Sequence, residues 1–263
     1  MWFCIGFIYL ALLGGSALAI AGSISDEKPR LAIIIDDLGD RLKDGRRVIT
    51  LNANITVGII PYRPYSRTLA QLANKKNKEI MLHLPMESLD QRYLGKAGLR
   101  VDMTEAELNA SLDESLASLK NIRGINNHMG SRLTQNTKIM RWLMKKLQVY
   151  GNLYFVDSRT IDTSQAIFIA RQVGIEHATR DVFLDNDKNH DAMAKQWRYF
   201  LKHANKEGSA VMIAHPYPET ISFLQQRLID LSENYKLISV SSLIRWRHNR
   251  SKLAWQQSES SSH

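Results

Sequence analysis

The sequence predicts an α/β fold, a single-domain distorted parallel (β/α) barrel with seven or eight strands. Three observations carry that expectation. Short apolar runs rich in β-branched residues alternate with segments of helical period across residues 28–248. Several of the runs stop at a carboxylate or an imidazole, as parallel strands do at the rim that carries chemistry. No internal repeat and no long linker divides the 263 residues into separate units. A doubly wound open sheet is the other arrangement of the same units.

The first run, Leu31–Ile35, leads straight into Asp36 and Asp37, and Gly39 then breaks the pattern. Such a run reads as a strand buried on both faces, with polar residues only at its end. Ile55–Ile60 is a strand closed by Pro61, and Arg67–Asn77 a helix. Glu79–Leu84 is a strand carrying His83 at its end, and Leu89–Asp102 is a loop. Thr104 and Glu107 form a capping box for a helix reaching about Lys120, with Leu108, Leu112, Leu116 and Leu119 on one face. Gly124–Asn127 is a strand ending at His128, and Asn136 caps the next helix. Leu153–Val156 is a strand ending at Asp157, and Ser164–Val173 a helix stopped by Gly174. Ile175–Ala178 and Val182–Leu184 are short strands around Arg180 and Asp181. Met193, Trp197, Phe200, Leu201 and Ala204 form a helical stripe that ends at Gly208. Ala210–Ala214 is a strand ending at His215, Pro218–Glu233 a helix with proline in its first turn, and Leu237–Val240 a last strand. Residues 249–263 read as a disordered polar tail.

Residues 1–21 are apolar or small, and no charged side chain precedes Asp26. This is the pattern of a secretory signal peptide cleaved after Ala19 or Ala21, or of an uncleaved N-terminal anchor. The expected location is periplasmic or secreted, and membrane-anchored if the segment stays. Cys4, the single cysteine, lies inside that segment. The rest of the chain therefore has no disulfide, thiolate ligand or Cys nucleophile, and any metal falls to His and carboxylates. The net charge of +9 includes clusters at Lys75–Lys78 and Arg245–Arg250. On an exported chain these suit an anionic envelope polymer or a peripheral membrane contact. No nucleic-acid-binding motif accompanies them.

The residues at strand ends are Asp36, Asp37, His83, His128, Asp157 and His215. Adjacent carboxylates repel, and a divalent cation between or beside them relieves that repulsion. Each residue also has a plain reading: a helix cap for Asp36 or Asp37, a hydrogen-bonded core histidine for His83 or His128, a turn former for Asp157. Taken together at one rim they form a His/carboxylate constellation. No P-loop, GxGxxG, GxSxG or HExxH pattern competes with it.

The ordered strings Ile33-Ile34-Ile35-Asp36-Asp37, Lys78–His83 and Val211–His215 resemble the motifs of the NodB-like polysaccharide deacetylases. The strings from His83 to Ser88, Asn126 to Ser131 and Tyr154 to Thr160 resemble the divergent branch of that superfamily. The resemblance covers about Pro29 to Trp246. It implies a NodB-like barrel, with Asp36 as general base, His215 as general acid, and Asp37 and His83 as metal ligands. The superfamily has a second histidine four residues after the first, where this chain has Glu87. His128 is the expected replacement, which places Glu87 beside the site, holding an imidazole N–H. An Asp-His-His set with one position left for water suits zinc. The arginine that orients the base has no clear match, and Arg159 and Arg180 are the candidates.

The function implied is a secreted, metal-dependent carbohydrate deacetylase acting on the C–N bond of acetamido sugars in an envelope glycan. Two other expectations stand beside it. One is a catalytically silent barrel serving as a binding or scaffold component of the envelope, which Glu87 and the missing arginine suggest. The other is metal-assisted hydrolysis of a phosphoester, for which the chain offers few carboxylates.

Overall fold

The computed structural model describes residues 27–229 and 231–260. The apolar segment 1–21, with Cys4, and residues 261–263 lie outside them. No helix among the described residues is long and apolar enough to cross a membrane.

Parallel strands curl into a half-barrel, with helices packed on its outside. In chain order the first strands and helices are β1 (Arg30–Leu38), α1 (Leu42–Ile49), β2 (Thr56–Ile59), α2 (Ser66–Lys75), β3 (Glu79–Met86), α3 (Glu105–Ser118), β4 (Ile122–Met129) and α4 (Thr137–Tyr150). The chain continues with β5 (Tyr154–Asp157), α5 (Ala166–Val173), β6 (His177–Thr179), β7 (Val182–Phe183), α6 (His190–Glu207), β8 (Ser209–Ala214), α7 (Pro218–Arg227), β9 (Lys236–Leu237) and α8 (Val240–Ser260). The strand order is β6-β5-β4-β3-β2-β1-β8-β7, every pair parallel, and β9 adds to the start of β1. The barrel is open between β6 and β7.

Strand alternation sorts the core into two parts. Leu31, Ile33 and Ile35 face the outer helices in one cluster. Ala32 and Ile34 face the lumen with Met81, Tyr154, Val156, Val211 and Ile213. The start of α8 closes the lumen from one end: Val240, Leu243 and Ile244 belong to the inner cluster. Two polar groups from distant strands receive that helix. Thr56 Oγ1 accepts from Val240 N at 3.3 Å, and Glu79 Oε1 from Ser241 N at 3.1 Å. The buried Tyr154 hydroxyl donates to the same Glu79 oxygen at 2.8 Å.

The capping box of Thr104 and Glu107 is present, Asn136 accepts from Lys138 N and Ile139 N, and Gly174 and Gly208 end their helices in the left-handed region. Several boundaries differ from expectation. β3 runs on through Pro85 to Met86, because β4 continues beside it and Leu99 N takes the Pro85 carbonyl at 2.9 Å. α7 stops at Arg227, and Val240 starts a helix where the sequence suggested a strand end. The expected disordered tail, 249–263, is helical as far as Ser260. The basic cluster in α8 is partly spent on the fold. Arg247 bonds Asp181 and Ser209, and Arg250 reaches the Glu207 carbonyl at the end of α6. In the other cluster, the Lys78 ammonium is held by the Leu51 and Ala53 carbonyls.

Candidate active site

Asp36, His83 and Asn126, from the second halves of β1, β3 and β4, meet Asp185 and His215, which lie just beyond β7 and β8. Period-two alternation brings them there: Asp36 follows Ile34 on the lumen face, His83 follows Met81, and His215 follows Ile213. Asp37 is the next residue of β1 and would point outward, but its φ of 58° turns it back to the rim. Tyr62, Met129 and Arg159 also have positive φ, close after β2, at the end of β4 and after β5. Such backbone strain is concentrated where chains position functional groups.

Three ligand-type atoms converge. Asp37 Oδ1 lies 3.1 Å from His83 Nε2 and 2.9 Å from His128 Nδ1, and the two nitrogens are 3.2 Å apart. Tetrahedral zinc with bonds of ~2.0–2.1 Å would hold its ligand atoms about 3.3 Å from one another. The triangle fits a small cation after a slight expansion. Asp37 Oδ1 is buried, with the His83 and His128 imidazoles against it. Burial pushes the Asp37 carboxyl up, but the imidazoles of His128 and His83 outweigh it and hold the group well below the usual range. Burial alone would depress His83; Asp36 and Asp37 overcome it and raise the imidazole to about 9. Without a cation the cluster keeps a proton in its place.

On either side of the triangle stand a carboxylate, Asp36, and an imidazole, His215. Asp36 is 1% exposed, and burial raises its pKa against the pull of His83 and His215. Its Oδ2 accepts from Asn126 Nδ2 at 2.7 Å, and its Oδ1 lies 3.5 Å from His83 Nδ1. Across the site, His215 Nε2 is 3.9 Å from Asp37 Oδ2. His215 Nδ1 donates to Asp185 Oδ1 at 3.0 Å, and its backbone N donates to Asp185 Oδ2 at 2.7 Å. Burial would lower the His215 pKa, but the hydrogen bond and charge of Asp185 raise it. Phe183 and Tyr217 flank the ring, with centroids at 5.3 and 5.8 Å.

The remaining sequence candidates do other work. Glu87 does not hold an imidazole. Its Oε1 accepts from Arg132 and its Oε2 from Val101 N, both at 2.8 Å, which ties the 88–102 loop to the turn after β4. Asp157 accepts from Arg159 N and Ser164 Oγ, so it shapes the turn after β5. Arg180 donates to the Ser158 and Arg159 carbonyls, and Arg159 pairs with Asp162. Neither arginine reaches Asp36; the amide of Asn126 is there instead. The sequence reading missed Asn126 and Asp185. Asp185 directly follows the apolar run Val182–Leu184, the same signal that marked Asp36, and Asn126 lies two residues before His128 on the same strand face.

The chain matches the family described as divergent polysaccharide deacetylase over residues 33–244. It belongs to that family. An uncharacterized protein of Haemophilus influenzae is 35% identical over 232 residues, which is 88% of this chain and 82% of that one. An uncharacterized Agrobacterium tumefaciens protein, ATU2773, has a similar crystal structure: TM-score 0.78, 21% identity, 82% of this chain and 89% of that one. The peptidoglycan deacetylase PdaC of Bacillus subtilis shares the fold at TM-score 0.51 and 13% identity, over 87% of this chain and 97% of that one. The NodB-like barrel expected from the motifs is therefore the fold of this chain.

Proposed function

We propose that this chain is an exported, metal-dependent deacetylase that removes N-acetyl groups from an envelope glycan. The observation that carries the reading is the Asp37–His83–His128 triangle, with Asp36 on one side and His215 on the other. Asp37 Oδ1, His83 Nε2 and His128 Nδ1 would hold the ion, and zinc suits that donor set. When bound, zinc polarises a carbonyl and lowers the pKa of water. Asp36 takes the proton of the attacking water, whose oxygen forms the new bond to the acetyl carbon. His215 Nε2 delivers a proton to the amine as the C–N bond breaks, leaving acetate and a free amino sugar. Asp185 keeps the His215 imidazole in the tautomer that presents Nε2 to the site.

The glycan assignment draws support from family membership and from the fold shared with a peptidoglycan deacetylase. Export rests on the apolar segment at residues 1–21, and cell fractionation tests it; a purely cytosolic protein overturns it. Activity is tested by acetate release from N-acetylglucosamine polymers and peptidoglycan, with and without zinc. Release that Asp36→Asn abolishes while zinc is retained supports the enzyme. Metal binding with no acetate release from any glycan supports the scaffold reading, which draws on the neutral amide standing where an arginine is expected beside Asp36.

A further inference from the structure

We propose that Asn126 is the positioning residue that couples metal binding to base catalysis, one amide fixing both the lone pair of His83 and the carboxylate of Asp36. This rests on the roles given above to His83 and Asp36. Asn126 is fully buried in the middle of β4. Its Oδ1 lies 2.8 Å from His83 Nδ1, and its Nδ2 lies 2.7 Å from Asp36 Oδ2 and 3.4 Å from Ser158 Oγ.

The chemistry of the three groups fixes every proton. A carboxylate acting as a base only accepts, so the amide must turn its NH2 toward Asp36. That leaves Oδ1 facing His83, and Nδ1 of His83 must carry the hydrogen. With an ion bound, Nε2 is then the nitrogen left with a lone pair, on the side of Asp37 and His128, as a metal ligand requires. The same amide therefore orients the base and sets the tautomer of the ligand.

No other side chain of this size performs both tasks. Arginine has no acceptor: it would orient Asp36 and leave the His83 N–H without a partner. Aspartate would accept well from His83 but set a second carboxylate against Asp36. Alanine would leave a buried donor and a buried acceptor unpaired. Asn126 thus stands in for the expected arginine and adds a tie to the metal that an arginine lacks.

The test compares Asn126→Asp and Asn126→Ala in the full chain by zinc competition titration, acetate-release kinetics and thermal melting. In Asn126→Asp, zinc affinity is retained or increased, while kcat falls about 100-fold with KM little changed. In Asn126→Ala, zinc binding weakens by about tenfold or more. The nearly isosteric Asn126→Asp serves alone if the alanine variant does not fold. Turnover within about threefold of the parent in a folded Asn126→Asp overturns the proposal, as does loss of zinc in that variant. Equal zinc affinity in both folded variants also overturns it, whether or not the chain releases acetate. Failure of acetate release in the parent chain bears on the deacetylase reading, and the zinc comparison still decides the role of Asn126 at His83.

Discussion

Gly58 has no side chain because Asp36 occupies the space: a Cβ at position 58 would stand 1.9 Å from Asp36 Oδ1. Strand β2 thus yields room in the lumen to a carboxylate of its neighbour. The requirement is one of volume, since this glycine needs no unusual backbone angle.

Gly58→Ala should displace Asp36 while the barrel still folds, at a cost of about 1–3 kcal/mol from overpacking. Denaturant unfolding measures the cost, and acetate release should fall further than stability does. Wild-type turnover in Gly58→Ala would show that Asp36 is not the base.

His128→Ala should lose zinc if the proposed site is right, because it removes one of the three atoms assigned to hold the ion. Glu87→Gln should bind zinc as the parent does, since its carboxylate faces Arg132 and Val101. Its effect should appear instead as faster hydrogen exchange in the 88–102 loop. Isothermal titration separates the two variants, and the reverse ranking would place Glu87 in the metal site.

Asp185→Asn should move the alkaline limb of the pH–rate profile to lower pH. In the proposed reaction His215 can give a proton only while protonated, and Asp185 raises its pKa. The stability effect has a matching sign. A histidine whose folded pKa is raised contributes fully below its unfolded value, about 6.5, and loses that contribution as pH rises through the folded value. The melting-temperature gap between parent and Asp185→Asn should therefore be widest on the acid side and narrow with increasing pH. A gap that widens with pH would assign the proton elsewhere.

Leu243→Ala should cost about 2–5 kcal/mol, since Leu243 is fully buried in the inner cluster at the start of α8. Ending the chain after Lys252 should leave the melting temperature nearly unchanged, because Leu253 and Trp255 are largely exposed. Ending it after Ser239 should abolish cooperative unfolding.

The parallel barrel and most of its elements were legible because apolar period and capping residues are local signals. Thr104, Asn136, Gly174 and Gly208 fix their helix ends through neighbours a few residues away. That Asp36, Asp37, His83 and His215 come together could be anticipated for a related reason, since each follows an apolar run, whereas His128 follows Asn126-Asn127 and was marked only as the end of a short strand. What escaped depends on contacts across the sheet. Val240 reads as a strand residue until Thr56 and Glu79 are seen to receive the helix it begins. Glu87 sits near His83 in sequence, but the 88–102 loop draws its carboxylate away. Asn126 is marked only by its place two residues before His128, and its contacts appear only when His83 and Asp36 close on it from two other strands.

The floor of the barrel has a consequence for how the chain folds. Val240 meets Thr56 across 184 positions of sequence, and Ser241 meets Glu79 across 162. The cavity beneath Asp37, His83 and His128 is thus sealed by a segment that lies far along the chain from all three. Closure pays a long-loop entropy, so the pocket takes shape only as distant parts of the chain meet, and folding of the whole should be slow.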